Sequence, residues 1–341
     1  MGCQLQLKWR KFGLTHHHPV RFGTAQWQDK ESISLPFLLY RFVVFGYFFG
    51  FFIWNLLHDF TSATLCYYLI YLTNWTYLTA LLDTIVQLVS AILAAYRCHK
   101  GIKPALPSWL YQLHWAIINI SHTMEPFVSV LYWTAVYPQI NVAVTYSDIH
   151  LHLLTTLYTL GDLMVHGSPR RYHHVTFPLC YGLAYLLFTI IYYACGGLDP
   201  KGNTGIYPIL DWAQPGLTLG VAAGAVVAIF VLHAVTWGMV QGRMHLHGTC
   251  LGKKVSVDAE FERGDGGGDG GREESGCESP EGQEELCVDV DIGDGAGGNA
   301  ARAGRPTAGA RADSKKAFDN AALTVGDETA TSQPQPRAPV A

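Results

Sequence analysis

The chain is 341 residues long, with 49% of its residues in the apolar and aromatic set and only 15% charged, a balance that argues against an ordinary soluble enzyme. Residues 1–254 carry 15 Lys/Arg against 9 Asp/Glu, a net of +6, whereas residues 255–341 carry 8 against 18, a net of −10. The basic residues flank apolar runs and form no single stripe, so no nucleic-acid partner is expected.

Residues 1–35 are polar and basic and read as a cytosolic N-terminal segment. Met1–Gly2–Cys3 is followed by Gln6 where a myristoylation signal carries Ser or Thr, so that modification is not expected. The first apolar run, 36–58, is longer than the core of a cleavable signal and is expected to stay in the protein. Five further runs, 72–96, 109–137, 144–165, 174–195 and 216–240, also reach the ~20 residues that cross ~30 Å of hydrocarbon. The expected fold is therefore all-α, a six-helix transmembrane bundle over 36–245, since hydrocarbon offers open backbone no partner and the runs lack barrel alternation.

Orientation follows from positive charge, which stays on the cytosolic side. Thirteen Lys/Arg residues fall on one side of the six spans, among them Arg97, Lys100, Lys103, Arg170, Arg171 and Arg243, against Lys201 alone on the other. Both termini are then cytosolic. Arg41, about a turn and a half inside the first span, is expected to snorkel back to that surface. Residues 246–341 read as a disordered cytosolic tail open to cytosolic partners, because 41 of the 43 aromatic residues precede residue 255. Of the eight cysteines, Cys66 and Cys195 fall on the outer side, compatible with one disulfide or with two free thiols. Asn74–Trp75–Thr76 and Asn119–Ile120–Ser121 match glycosylation acceptors but lie in or against the membrane, so neither is expected to be used.

Polar residues inside the spans recur at helical spacing. Thr79, Asp83, Gln87 and Ser90 share one face of span 2; Trp115, Asn119, His122, Glu125 and Ser129 mark span 3; Asp148, His152, Thr155, Thr159 and Asp162 mark span 4. Lipid outside leaves only one tolerable direction, inward, toward a shared polar cavity containing Asp83, Asn119, Glu125, Asp148, His152 and Asp162. Interhelical hydrogen bonding accounts for the Thr and Ser residues, but a buried carboxylate is a poor choice merely to hold helices together.

At these residues the chain resembles the rolling stone family of multi-pass membrane proteins. The resemblance runs from Phe22–Gly23–Thr24–Ala25–Gln26–Trp27 through Tyr71–Leu72–Thr73–Asn74–Trp75–Thr76. It continues through His150, His152, Asp162, Pro169–Arg170–Arg171 and His174 to Gly196–Gly197 and Tyr207–Pro208–Ile209–Leu210–Asp211–Trp212. It covers roughly residues 4–245 and implies a polytopic plasma-membrane protein with a link to myoblast fusion. The segment from Trp75 to Asp83, with His122–Thr123 in the next span, is more distantly similar to the androgen-induced family of transmembrane hydrolases, which cleave fatty acid esters of hydroxy fatty acids. That resemblance implies Thr79 as nucleophile and His122 as base; where that family carries a second histidine three residues earlier, this chain has Asn119. A threonine hydroxyl attacks only when a base takes its proton, and a histidine in a low-dielectric cavity stays neutral and can serve. Glu125 and Asp148 are both available to orient it.

Three other classes compete. A non-catalytic component of cell–cell contact or fusion is limited by short outer loops, the longest about 196–215, against the ~800 Å² per partner of a standard interface. A haem or metal protein is prompted by 15 histidines, but His152 and His166 lie 14 residues apart while His114 and His122 lie 8 apart, which does not match a paired arrangement. His16–His17–His18 reads as solvated, and no metal or other cofactor is expected. Polar stripes suit a transporter, but no sequence halves or matched broken helices accompany them.

Overall fold

The computed structural model describes residues 12–28, 33–58, 67–140 and 143–250, all within one contact-defined unit; a second unit, 289–339, lies outside the described residues. Among the described residues there are six long helical segments and no strand. They are α1 (Leu35–His58), α2 (Leu72–His99) and α3 (Ser108–Leu131), which continues through a π-helical turn at Tyr132–Val136 and a short 3-10 turn. Then come α4, built from Tyr146–Ile149, a π-helical turn at His150–Leu154 and Thr155–Val165, α5 (Thr176–Ala194) and α6 (Pro215–Cys250). Each expected apolar run is helical. The helix α6 runs past the expected boundary at 245, and most of the expected tail, like Cys66, lies outside the described residues.

Four of these segments, Leu35–Leu57, Leu72–His99, Tyr172–Ala194 and Pro215–Thr249, are long and apolar enough to cross a membrane, with mean hydropathies of 1.7, 1.9, 1.7 and 2.2. The two that fall outside that set, α3 and α4, carry two of the three polar stripes, and for α3 packing explains why it can. α3 contacts α2, α4, α5 and α6 at once, and from Ser121 to Ser129 every residue is buried. A helix surrounded by protein has no lipid-facing side to keep apolar, so the hydropathy signal that finds a membrane helix weakens where burial is complete. The periphery is the reverse: Val43, Leu183, Val227 and Val231 on α1, α5 and α6 stand exposed.

Residues 12–28 close one end of the bundle. Phe22, fully buried, sits among Tyr111, His114 and Trp115, and Gly23 approaches α2 so closely that a Cβ would stand 2.9 Å from that of Ala94. Backbone bonds tie the segment to the α4 exit, Gln26 N–H to Val165 O at 2.8 Å and Gly167 N–H to Thr24 O at 2.9 Å, while Arg171 donates to the carbonyls of Gly13 and Thr15. His16 departs from the solvated reading of its cluster: its ring packs on Phe22 and Trp115, whereas His17 and His18 are exposed.

Burial, followed by the Arg171 charge, pulls the His16 imidazole from its ordinary 6.5 down to about 4. The released segment therefore binds the proton more readily than the docked one, so docking is at full strength above about pH 6.5 and weakens as pH falls toward about 4. Hydrogen exchange of the Gln26 and Gly167 amides, corrected for intrinsic rates, should show protection lost across that window in the wild type and not in His16→Ala. Equal protection of the wild type at pH 7 and pH 4.5 would refute the coupling.

Candidate functional site

The polar stripes of α2, α3 and α4 do meet. Asp83, Asn119, His122, Glu125, Asp148, His152 and Asp162 are all buried. At the centre, His122 Nε2 lies 3.5 Å from Asp162 Oδ2 and 3.9 Å from Asp83 Oδ2. Asp162 in turn accepts hydrogen bonds from Arg41 Nη1 at 2.6 Å and from the Tyr40 hydroxyl at 3.0 Å, while Gln87 and Ser121 flank Asp83.

Arg41 corrects the snorkelling expectation. Its side chain is 1% exposed and its guanidinium lies between the Phe37 and Tyr40 rings, 4.7 and 4.9 Å from their centroids, where it meets Asp162. Its partner is 121 residues away, so only the packed helices show that it pairs inward instead of reaching the surface. Arg170 and Arg243, counted above as loop charges, are buried too. Arg243 donates to the carbonyls of Leu163, His166 and Ser168, and Arg170 to Asn119 O and the Thr123 hydroxyl, so both tie the bundle end where the chain leaves α4.

The other predicted residues spread along the bundle axis. Asn119 donates to Trp115 O and contacts His174 Nδ1 at 3.3 Å, toward the closed end. Glu125 faces the hydroxyls of Thr76 and Thr155. At the far end, Ser129 donates to His152 O, the His152 ring stacks on Tyr132 at 3.6 Å, and the Tyr132 hydroxyl donates to Asp148 at 2.8 Å. Asp148 also closes a capping box with Thr145, so its carboxylate is largely spent on starting α4. His114 and His166, ring centroids 4.9 Å apart, join the interior although the stripes did not single them out as a pair.

Thr79 and His122 are not brought together. The half-buried Thr79 hydroxyl donates to Trp75 O at 2.9 Å and pairs with the Tyr181 hydroxyl of α5 at 3.0 Å. Position 79 lies on the α2 stripe, but its threonine leans toward α5, where Trp75 packs on Tyr181 and Tyr185. The sequon side chains are likewise engaged, Asn74 with Tyr68 O and Asn119 in the interior; Cys195 is exposed. Among the described residues no group of three or more His, Cys, Asp or Glu could hold a metal ion.

The described residues form an all-helical protein in which four apolar helices of membrane length, consistent with a membrane protein, accompany a core of buried ionisable groups. The family described as Protein rolling stone matches residues 3–257, and the chain belongs to that family. It is 28% identical over 253 residues to Protein rolling stone of Drosophila melanogaster, an alignment that covers 70% of this chain and 86% of that protein. No solved structure matches it. Of the segments that carried the resemblance, Phe22–Trp27 and Pro169–His174 build the closed end and Tyr71 packs on Tyr207 at the other, while Asp162 sits at the centre.

Proposed function

We propose that this chain is a plasma-membrane protein with six spans and both termini cytosolic, and that its buried centre hydrolyses a lipid ester, with His122 as base and Thr79 as nucleophile. The observation that carries the reading is the His122 imidazole held between two carboxylates in a fully buried interior, with Asp162 itself fixed by Arg41. An imidazole oriented by a carboxylate is the base half of a nucleophile–base–orienter set. For the nucleophile half, the Thr79 hydroxyl has to rotate away from Tyr181, a change between the two χ1 rotamers open to threonine in a helix. Its oxygen then attacks the ester carbonyl while His122 takes the proton. The ester C–O bond breaks as His122 returns that proton to the leaving alcohol, and water cleaves the acyl-threonine.

A lipid substrate suits the surroundings. A 130 Å³ cavity between α3, α5 and α6 is lined by apolar side chains including Leu72, Met124, Leu183 and Val226. Leu183 and Val226 are 64% and 46% exposed on the outer face of the bundle, so an acyl chain can enter from the side. Incubating the purified protein with a serine/threonine-directed covalent probe tests the reading: a labelled Thr79 peptide is expected, and absence of label together with no hydrolysis across a broad ester panel would sink it.

The second reading, a non-catalytic component of cell–cell contact or fusion such as myoblast fusion with the tail binding cytosolic partners, is favoured by the engagement of the Thr79 hydroxyl with Tyr181. The topology has its own check. Tags at either terminus should be inaccessible in intact cells and accessible after permeabilisation; opposite accessibility of the two ends would overturn the even span count.

A further inference from the structure

We propose that the polar seam between α3, α4 and α2 is a proton path across the membrane. On α3 the seam begins at His114 and ends at Tyr132, 18 residues or about 27 Å at 1.5 Å per residue. That nearly matches the ~30 Å of hydrocarbon. The antiparallel α4 supplies a partner at successive levels. From the closed end these are His166 beside His114, Asp162 beside His122, Thr155 beside Glu125, and His152 with Asp148 at Tyr132.

Three independent features point the same way. First, buried polar atoms recur along the seam with no hydrogen-bond partner: His114 Nε2, His122 Nδ1 and both nitrogens of His152. Such atoms demand partners, and single water molecules bridging one level to the next would satisfy them while linking them into a relay. Second, α3 and α4 both relax into π-helical turns near that end, at Tyr132–Val136 and His150–Leu154, facing one another through the Tyr132–His152 stack. Interruptions of this kind cluster at functional sites. Third, Pro126 has no N–H to close the helical bond to the carbonyl of His122, which frees a backbone acceptor at mid-seam.

A chain of carboxylates and imidazoles suits protons better than larger cations. A hop needs only a shift of one proton along a hydrogen bond, and each group is restored when the next proton arrives, with no electron transferred. Arg41, fixed beside Asp162, places a positive charge where any larger cation would have to pass.

The proposal rests on the membrane-spanning part of the proposed function and is independent of the hydrolase reading. Full-length protein in liposomes carrying an internal pH dye, with a potassium gradient and valinomycin setting the potential, should acidify the lumen at least tenfold faster than protein-free liposomes. Glu125→Gln and His152→Asn, each purified as a monodisperse species, should lower that rate toward the protein-free level. Flux equal to that of protein-free liposomes, or wild-type flux in both variants, would overturn the proposal. Protease protection of the loops in the same vesicles reports spanning separately, so a failure to insert is distinguished from a failure to conduct.

Discussion

Arg41→Ala should destabilise the bundle by about 3–5 kcal/mol, the usual cost of leaving one member of a buried ion pair without its partner. Asp162 is fully buried and is held by Arg41 at 2.6 Å, with only the Tyr40 hydroxyl and the more distant His122 left to replace it. Asp162→Ala should cost a similar amount by stranding the guanidinium, whose Nε and Nη2 have no partner of their own. The double replacement Arg41→Met with Asp162→Leu removes both charges and keeps apolar volume, so it should recover most of that loss. Thermal unfolding in detergent, followed by the fraction of monodisperse protein remaining, measures all three. If Arg41 were snorkelling, the single substitution would shift the midpoint scarcely at all, as expected for an exposed charge. Additive losses in the double variant would show that each residue is held by something other than its partner.

Thr79→Ala and His122→Ala should each abolish ester hydrolysis and probe labelling, and the double variant should be no worse than either, because a nucleophile and its base act as one unit. The losses expected under the structural alternative are different in kind. Thr79→Ala would then remove one hydroxyl contact with Tyr181, worth about 1 kcal/mol in a membrane bundle, and its effect would appear in stability alone. Tyr181→Phe separates the two further. It removes the hydroxyl that now occupies Thr79 and leaves the apolar ring packing on Trp75. A nucleophile released from Tyr181 should label faster, whereas a structural hydroxyl gives no label in either protein. Asp162→Asn, combined with Arg41→Met so that no guanidinium is stranded, removes the charge that faces His122 and should lower the hydrolytic rate with little change in apparent substrate binding.

How much of this was legible beforehand depended on whether a residue's partner lay on its own helix stripe. Asp83, His122 and Asp162 recur at helical spacing in three neighbouring runs, so their convergence followed from periodicity and from the cost of pointing a carboxylate at lipid. Arg41 belongs to a run with no such stripe, and nothing local distinguishes an arginine that reaches back to the surface from one that reaches across to Asp162, 121 residues away. Thr79 is the opposite case. It sits in register with Asp83, yet a few tens of degrees around the helix axis decide whether its hydroxyl meets α3 or α5, and in this structure it meets the Tyr181 hydroxyl of α5.

Length, hydropathy and polar periodicity by themselves determined that the chain is helical, where its helices fall, that apolar segments of membrane length lie among them, and that α2, α3 and α4 turn polar faces inward. These are properties of short stretches against a uniform surrounding, and each stretch carries its own evidence. Tertiary structure alone decided the rest: that residues 12–28 fold back to close the bundle end, that Arg41 neutralises Asp162, that Arg243 caps the carbonyls where the chain leaves α4, and that α3 and α4 loosen together into facing π turns. The reason is common to all four. Each is a pairing between groups far apart in sequence, and its free energy depends on which surfaces the packed helices bring into reach, a quantity that no window of the chain contains.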